Sequence, residues 1–362
     1  MKLTILDKYL SGRLLYTLLR SLVALVALFV IIDLLTQRRE QIMRLDIPWT
    51  VVTLFYLAHI PWIVFQVAPL AILVAALMVL GETAQANEVT AALAGGISLR
   101  RFSRMPLLLG LVFALGLFVA QETVGTVAAE RATRIERDHF SWNPDAERAG
   151  LTWARLSGGW TCHVLKFNRV ALSGENVLMN AIREDAIEHI KARRIYWHEE
   201  REQWLIEDGH RLIFTPDGRE IVAQERITQA AAPIEEHPDL LFAIDKPPET
   251  QTIFGLSAVI RHAARIGVPA QRLLVDYHVK FSQPAIAFVM MWLAIPFALR
   301  VRRGGVAIGF GASIAIALAY LTVFGISIAL GNAGRMPPFL AAWLANFVFL
   351  ATGVTLFLKT PT

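Results

Sequence analysis

Residues 47–81 read IPWTVVTLFYLAHIPWIVFQVAPLAILVAALMVLG, a run without a single Asp, Glu, Lys or Arg. A bilayer core about 30 Å thick takes roughly 20 apolar residues of helix, so this run is longer than one perpendicular crossing needs. It is expected to divide into an interfacial stretch near Pro48 to His59 and a span from about Ile60 to Leu80, kinked where Pro61 and Pro69 remove backbone donors. Further apolar runs lie on both sides of it, at about Arg13 to Leu35 and Met105 to Val124, and then at Pro284 to Leu299, Val306 to Leu330 and Phe339 to Leu358. The run from Pro284 is short unless its helix begins earlier, through Tyr277 to Gln283. Three spans therefore precede a long polar block and three follow it, dividing the chain into a membrane half over 1–124, a domain over 125–276 and a second membrane half over 277–362.

Composition excludes a soluble fold of this length. Mean hydropathy is +0.48, 55% of residues are hydrophobic and 18% are charged, too little polar surface for an ordinary globular chain. The net charge of +5 reads as membrane topology rather than as a nucleic-acid footprint. The lone Cys162 excludes an intrachain disulfide and a thiolate metal cluster. The first apolar run lacks a small-residue cleavage pattern and is expected to stay as a span, behind an amphipathic start with Leu3, Leu6 and Leu10 that would lie along the membrane surface.

Basic residues in the short flanks orient the spans. Lys2, Lys8, Arg13, Arg100, Arg101, Arg104, Arg300, Arg302, Arg303 and Lys359 fall on one side, against Arg38, Arg39, Arg44 and Arg335 on the other. The richer side is cytoplasmic by the positive-inside rule, which places both termini inside and the long block outside. That block opens helically over Ala128 to Phe140 and then turns strand-like at Trp160 to Val170, Arg194 to Trp197, Gln203 to Glu207 and His210 to Phe214. Asp208-Gly209 and Asp217-Gly218 are hairpin signals between such runs. An antiparallel β domain follows, a sandwich or jelly roll, with Ala230 to Pro248 as its exit loop and Leu256 to Gly267 as a helix near the membrane.

The sequence carries little chemistry of its own. No GxxxxGK[ST] phosphate loop occurs. His198-Glu199-Glu200 lacks the second histidine of a metalloprotease helix, and Ser157-Gly158-Gly159 lacks the flanking glycine of a nucleophile elbow. An ion-coupled transporter places carboxylates or histidines near the bilayer midplane. Asp33, Glu122 and Lys280 instead fall toward span ends, so energy must come from another protein. A hydrolase would need a convergent nucleophile and base that the sequence does not display. A non-transporting scaffold for the β domain is the other class the residues leave open.

Residues 82–98 offer a route for that energy. The run Thr83 to Ala94 is small-sided and helix-compatible, Gly95-Gly96 supplies a stop, and Ser98 can cap the following helix. A short helix of small side chains with a central carboxylate suits a partner's groove; a solvated connector fits the same residues.

Asn87-Glu88-Val89-Thr90 with Ala94-Gly95-Gly96-Ile97-Ser98 resembles the coupling segment of the lipopolysaccharide-export permease family LptF/LptG. A second block resembles it more closely: Gly267, Lys280, Pro284, the run Met290 to Ala298, Arg303-Gly304-Gly305 and Gly309. A third comprises Gly331-Asn332, Pro337-Pro338, Trp343 and Asn346. The amino-terminal Ile5-Leu6-Asp7-Lys8-Tyr9 resembles the G-type paralogue more than the F-type.

The resemblance implies a cofactor-free permease subunit that pairs with an F-type paralogue. A cytoplasmic ABC-class ATPase dimer drives it, and it works with a single-span LptC-like subunit and a periplasmic bridge protein. Lipopolysaccharide would be extracted from the outer leaflet of the inner membrane. Glu88, Asn87, Ala91 and Gly95 would face the ATPase. Spans one, two and five would line the lipid cavity, implicating Phe65, Phe310, Tyr320 and Phe324, with spans one and five as a lateral gate. Arg38, Arg39 and Arg44 sit on the outside, where the charge rule disfavours them, and guanidinium groups bind phosphate oxygens in a bidentate manner. They could equally meet water and headgroups. Asp33 and Glu40 depart from the family's basic outer span one. The Gly304, Gly305, Gly309, Gly311 series allows either close helix packing or a mobile gate helix.

Overall fold

The computed structural model describes residues 4–140, 151–153, 156, 159–168, 171–183, 185–238, 246–265, 270–300 and 305–359. Leu3, Ser157-Gly158, Gly267 and Arg302 to Gly304 lie outside the described residues. The chain forms two compact units, one of residues 1–140, 248–253 and 271–362, the other of 141–247 and 254–270.

The first unit is helical. In order it comprises α1 (Ile5–Thr36), α2 (Arg38–Leu45), α3 (Trp49–Gln85), α4 (Glu88–Ala94), α5 (Leu99–Ala120), a π-helical turn (Gln121–Gly125) and α6 (Thr126–His139). After the second unit and a helix α7 (Ile253–Arg265), it resumes with α8 (Gln271–Arg300), α9 (Gly305–Asn332) and α10 (Pro338–Leu358). Among the described residues six helices are long and apolar enough to cross a membrane: α1, α3, the continuous α5 to α6 stretch, α8, α9 from Phe310, and α10. The α8 helix does begin before Pro284, which gives the short fourth run its length.

Two expectations are corrected. The stretch from Pro48 to Leu80 is not divided: α3 is one helix, with Pro48 at its N-cap and both Pro61 and Pro69 inside it. Leaving the helix within hydrocarbon would strand backbone groups without water, at several kcal/mol each, whereas a proline costs about 3 kcal/mol and its neighbours can absorb the kink. Likewise the amphipathic start is no separate surface helix. It is the first turns of α1, capped by a reciprocal Thr4–Asp7 pair, with Leu10, Leu14 and Leu18 buried in the same helix that goes on to span.

The α3 and α8 helices form the centre, with 67% and 72% of their most apolar windows buried against 6% for α1. Small residues allow this closeness. Gly331 of α9 faces Ala341 and Val275 so tightly that a Cβ there would stand 2.4 Å from that of Ala341. Several polar side chains near these crossings are paired across helices. Asn346 donates to the Ser282 carbonyl at 2.9 Å and accepts from the Tyr320 hydroxyl at 3.0 Å. Lys280, 4% exposed, meets Glu122 of the π turn at 2.9 Å, and the other Glu122 oxygen accepts from the Ile253 N–H at 2.7 Å.

The second unit carries an antiparallel sheet of six strands in chain order: β1 (Leu151–Trp153), β2 (Trp160–Asn168), β3 (Ser173–Ile182), β4 (Ile187–His198), β5 (Gln203–Phe214) and β6 (Ile221–Ala231). The antiparallel domain expected between spans three and four is present, and its described strands pair as a meander. Asp217-Gly218 makes the β5–β6 turn, Gly218 taking φ +72°. Asp208-Gly209 does not make a turn. It lies inside β5, which runs unbroken from Gln203 to Phe214.

The reason is a crease that crosses β2 to β6. Leu165, Asn176, Arg193, Asp208 and Thr228 drop out of successive ladders at matching positions, with Asn176 and Asp208 in the left-handed region. Inward alternation then slips by one residue on β2, β4 and β5, from Val164 to Phe167, Ala192 to Ile195 and Ile206 to Gly209. Gly209 is required where the crease brings β5 onto β4, since a Cβ would lie 2.6 Å from the Lys191 carbonyl oxygen. The same dipeptide that favours a turn thus serves a crease. One core results, built on Trp160, Cys162, Phe167, Met179, Ile195 and Trp204, whose indole N–H reaches the Glu236 carbonyl at 2.9 Å.

Two measurements check this packing. Cys162 is fully buried and its thiol is pushed up to about 12 by desolvation, so it stays protonated and shielded at pH 8; maleimide labelling is expected to be negligible in the folded protein and complete after denaturation. Lys280→Met strands a buried carboxylate and is expected to destabilise by about 3–5 kcal/mol, seen as a lower unfolding midpoint in detergent. Adding Glu122→Gln should restore much of that loss.

Candidate functional site

Two regions of the helical unit carry the residues singled out by sequence. The first is α4 and its surroundings. Asn87 enters it with φ +58°, Gly95 closes it, and the Ser98 hydroxyl caps α5 by accepting from the Arg101 N–H at 3.3 Å. Val89 is 1% exposed and, with Ala92 and Leu93, packs on the main helical core. The opposite face presents Asn87, Thr90, Ala91, Ala94 and Gly95. Three of the four positions assigned to coupling, Asn87, Ala91 and Gly95, therefore share one exposed, small-sided face at i, i+4 spacing.

Glu88 sits at the border of that face, half-buried. Its Oε1 accepts from the Tyr9 hydroxyl at 3.1 Å, and Tyr9 in turn accepts from Arg13 Nη1 at 2.7 Å. Arg13 also pairs with Glu82 at the end of α3, and Asp7 pairs with Arg101 of α5 at 2.8 Å. The first turns of α1 are thereby bound to α3, α4 and α5. Counting flank charges registers Arg13 and Arg101 as charge alone. Their partners Glu82 and Asp7 are acidic residues on the basic side, and that mismatch of sign was the available signal.

The second region lies at the other end of α1. Asp33 accepts from the Tyr56 hydroxyl at 2.8 Å and stands 3.8 Å from Arg38. Arg38 Nη1 binds Glu136 of α6 at 2.7 Å and Gln41 at 3.1 Å, while its guanidinium lies over the rings of Phe55 and Phe140, at 4.8 and 5.3 Å. His59 stacks between Phe55 and Trp62. Arg39 is exposed, as is Arg44, which pairs with Glu40 at 2.6 Å. The three arginines thus divide: Arg38 is held within the protein and the other two face outward. Glu136 as its carboxylate partner carries no local sequence signal, because 98 positions separate the two residues.

A cavity of about 300 Å³ opens among α1, α3, α8 and α9. Phe29, Phe65, Tyr320 and Phe324 line it, together with Gln66 and Gln283, whose amides meet at 3.3 Å. Three of the aromatic residues assigned to substrate, Phe65, Tyr320 and Phe324, converge there. Phe310 does not line it and is exposed. Walls of this kind accept hydrocarbon and offer one amide pair for orientation. On a second side of Phe65, Leu14, Leu18, Leu109 and Phe113 help to line an apolar cavity of about 390 Å³.

A family model described as Lipopolysaccharide export system permease LptF/LptG matches residues 8–359 of the chain. No curated protein matches it.

Proposed function

The chain belongs to the LptF/LptG family of lipopolysaccharide export permeases, and from that premise we propose that it is the G-type subunit of an ATP-driven ABC exporter. As a member it is a multi-pass inner-membrane permease, part of the lipopolysaccharide export transporter, in a family without a catalytic site of its own. The finer reading is that it pairs with an F-type paralogue over a cytoplasmic ATPase dimer and hands lipid to a single-span subunit and a periplasmic bridge. Its termini face the cytoplasm and its β domain the periplasm, as the flank charges favour. An F-type assignment is the nearest alternative.

The observation that carries this reading is the outward face of α4. Val89 anchors the helix inward while Asn87, Ala91 and Gly95 leave a shallow surface with Glu88 at its edge. Small residues admit a partner closely, and a carboxylate there can meet a basic group of an ATPase. Because Glu88 touches Tyr9, displacement of α4 would be passed to α1. The lipid's acyl chains suit the aromatic cavity at Phe65, Tyr320 and Phe324, and its phosphates suit Arg38, Arg39 and Arg44. Closure of that cavity would drive lipid outward.

Co-purification of this chain with a paralogous permease and an ABC ATPase tests the assembly directly. Glu88→Lys is expected to lower lipopolysaccharide-stimulated ATP turnover about tenfold or more while the chain still inserts, since like charges across an interface cost several kcal/mol. Full activity with an intact complex would remove α4 from the coupling role. Reversing Arg39 and Arg44 to Glu should weaken lipid-stimulated turnover without changing the basal rate; an unaltered response returns them to water and headgroups.

A further inference from the structure

We propose that Glu136 is a resident carboxylate occupying the anion seat at Arg38, displaced by a lipid phosphate and so setting the threshold for anionic lipid. The proposal rests on reading the protein as a carrier of an anionic lipid.

The two halves of the Arg38–Glu136 pair are held unequally. The Arg38 side chain is 12% exposed and the Glu136 side chain 45%. The cation is fixed on both flanks, by Phe55 and Phe140. The carboxylate stands at the rim of this seat, on α6, and among the described residues its hydrogen bond to another helix is a single one of 2.7 Å, from Nη1. Its loss from the seat costs little, because a half-exposed carboxylate regains water on leaving.

The seat itself is not saturated by carboxylates. Arg38 Nε is buried without a hydrogen-bond partner, Asp33 being 3.8 Å away and engaged by Tyr56 at 2.8 Å. A guanidinium with a donor left over suits a ligand with more acceptor oxygens than a carboxylate has, and a phosphate monoester has three with a charge near −2. Glu136 therefore stands in for part of that ligand. It neutralises Arg38 while the seat is empty and makes a weakly charged lipid compete at a disadvantage.

Binding to the full transporter complex in phosphatidylethanolamine nanodiscs tests this, with lipid A carrying both phosphates and fully dephosphorylated lipid A as probes. Glu136→Gln is expected to tighten binding of the phosphorylated lipid about tenfold and leave the dephosphorylated one unchanged. Arg38→Gln is expected to erase the difference between the two lipids. Should E136Q leave binding unchanged, weaken it, or tighten both lipids alike while R38Q still erases discrimination, Glu136 is a strut and the proposal falls, with the lipid reading intact. If wild-type complex binds neither lipid, both fall. Millimolar inorganic phosphate should not remove the gain; if it does, the seat takes free phosphate and the proposal is overturned. Glu136→Asp, which withdraws the charge by one methylene, carries the same test should E136Q not assemble: about threefold tightening supports the seat, and none overturns it.

Discussion

Within hydrocarbon a polar group has no water to fall back on, and the helical unit is organised around that constraint. It explains why α3 runs through Pro61 and Pro69 without breaking. It also explains why Lys280 is tied to Glu122, and why Asn346, Tyr320 and Ser282 form a closed set. Lys280, Asn346 and Tyr320 each find their partner on another helix or turn. Such pairs add little net stability when complete, but a missing partner is costly, so they act as registration marks between helices rather than as glue.

The same constraint separates what was legible in the sequence from what was not. Span count, span order and the antiparallel character of the inserted domain were all readable, since they depend on the length and periodicity of apolar runs. Residues 47–81 misled because the roughly 20-residue rule assumes a perpendicular helix, while a long helix can tilt or extend beyond the core. Asp208-Gly209 misled for a related reason. Its local preference for positive φ is real, and the structure uses it, but a crease and a turn ask for the same dipeptide, and only the matching breaks in the ladder at Asn176 and Arg193 distinguish them.

For the candidate site, residue types were more legible than their partners. Asn87, Ala91 and Gly95 share a face because helical spacing puts them there, and spacing is visible in sequence. That Glu88 touches Tyr9 was invisible, since 79 positions separate them and nothing local couples them. Arg38 illustrates the point from the other side. As an outside arginine beside Arg39 it looked like a free cation, yet Glu136 reaches it across 98 positions and Phe55 and Phe140 cover it. Two adjacent residues of identical type thus have opposite environments, set by the rotation of one helix.

These contacts give α1 an uneven character along its length. Its first turns are bound through Asp7, Tyr9 and Arg13 to three other helices, and beyond its last turn Arg38 binds α6. Between them Val23, Leu28, Ile31 and Ile32 are exposed. An apolar side chain that leaves protein for lipid tails loses little, because the two media are alike to it. Breaking an ion pair in the same surroundings is far more expensive. Motion of α1 is therefore cheapest when its middle changes neighbours and its polar ends move with what they hold. At the first end that companion is α4, the helix with the exposed small-sided face. At the other it is α6, through a carboxylate that is half-exposed. The helix is therefore held by polar pairs at both ends and left free between them to exchange apolar neighbours.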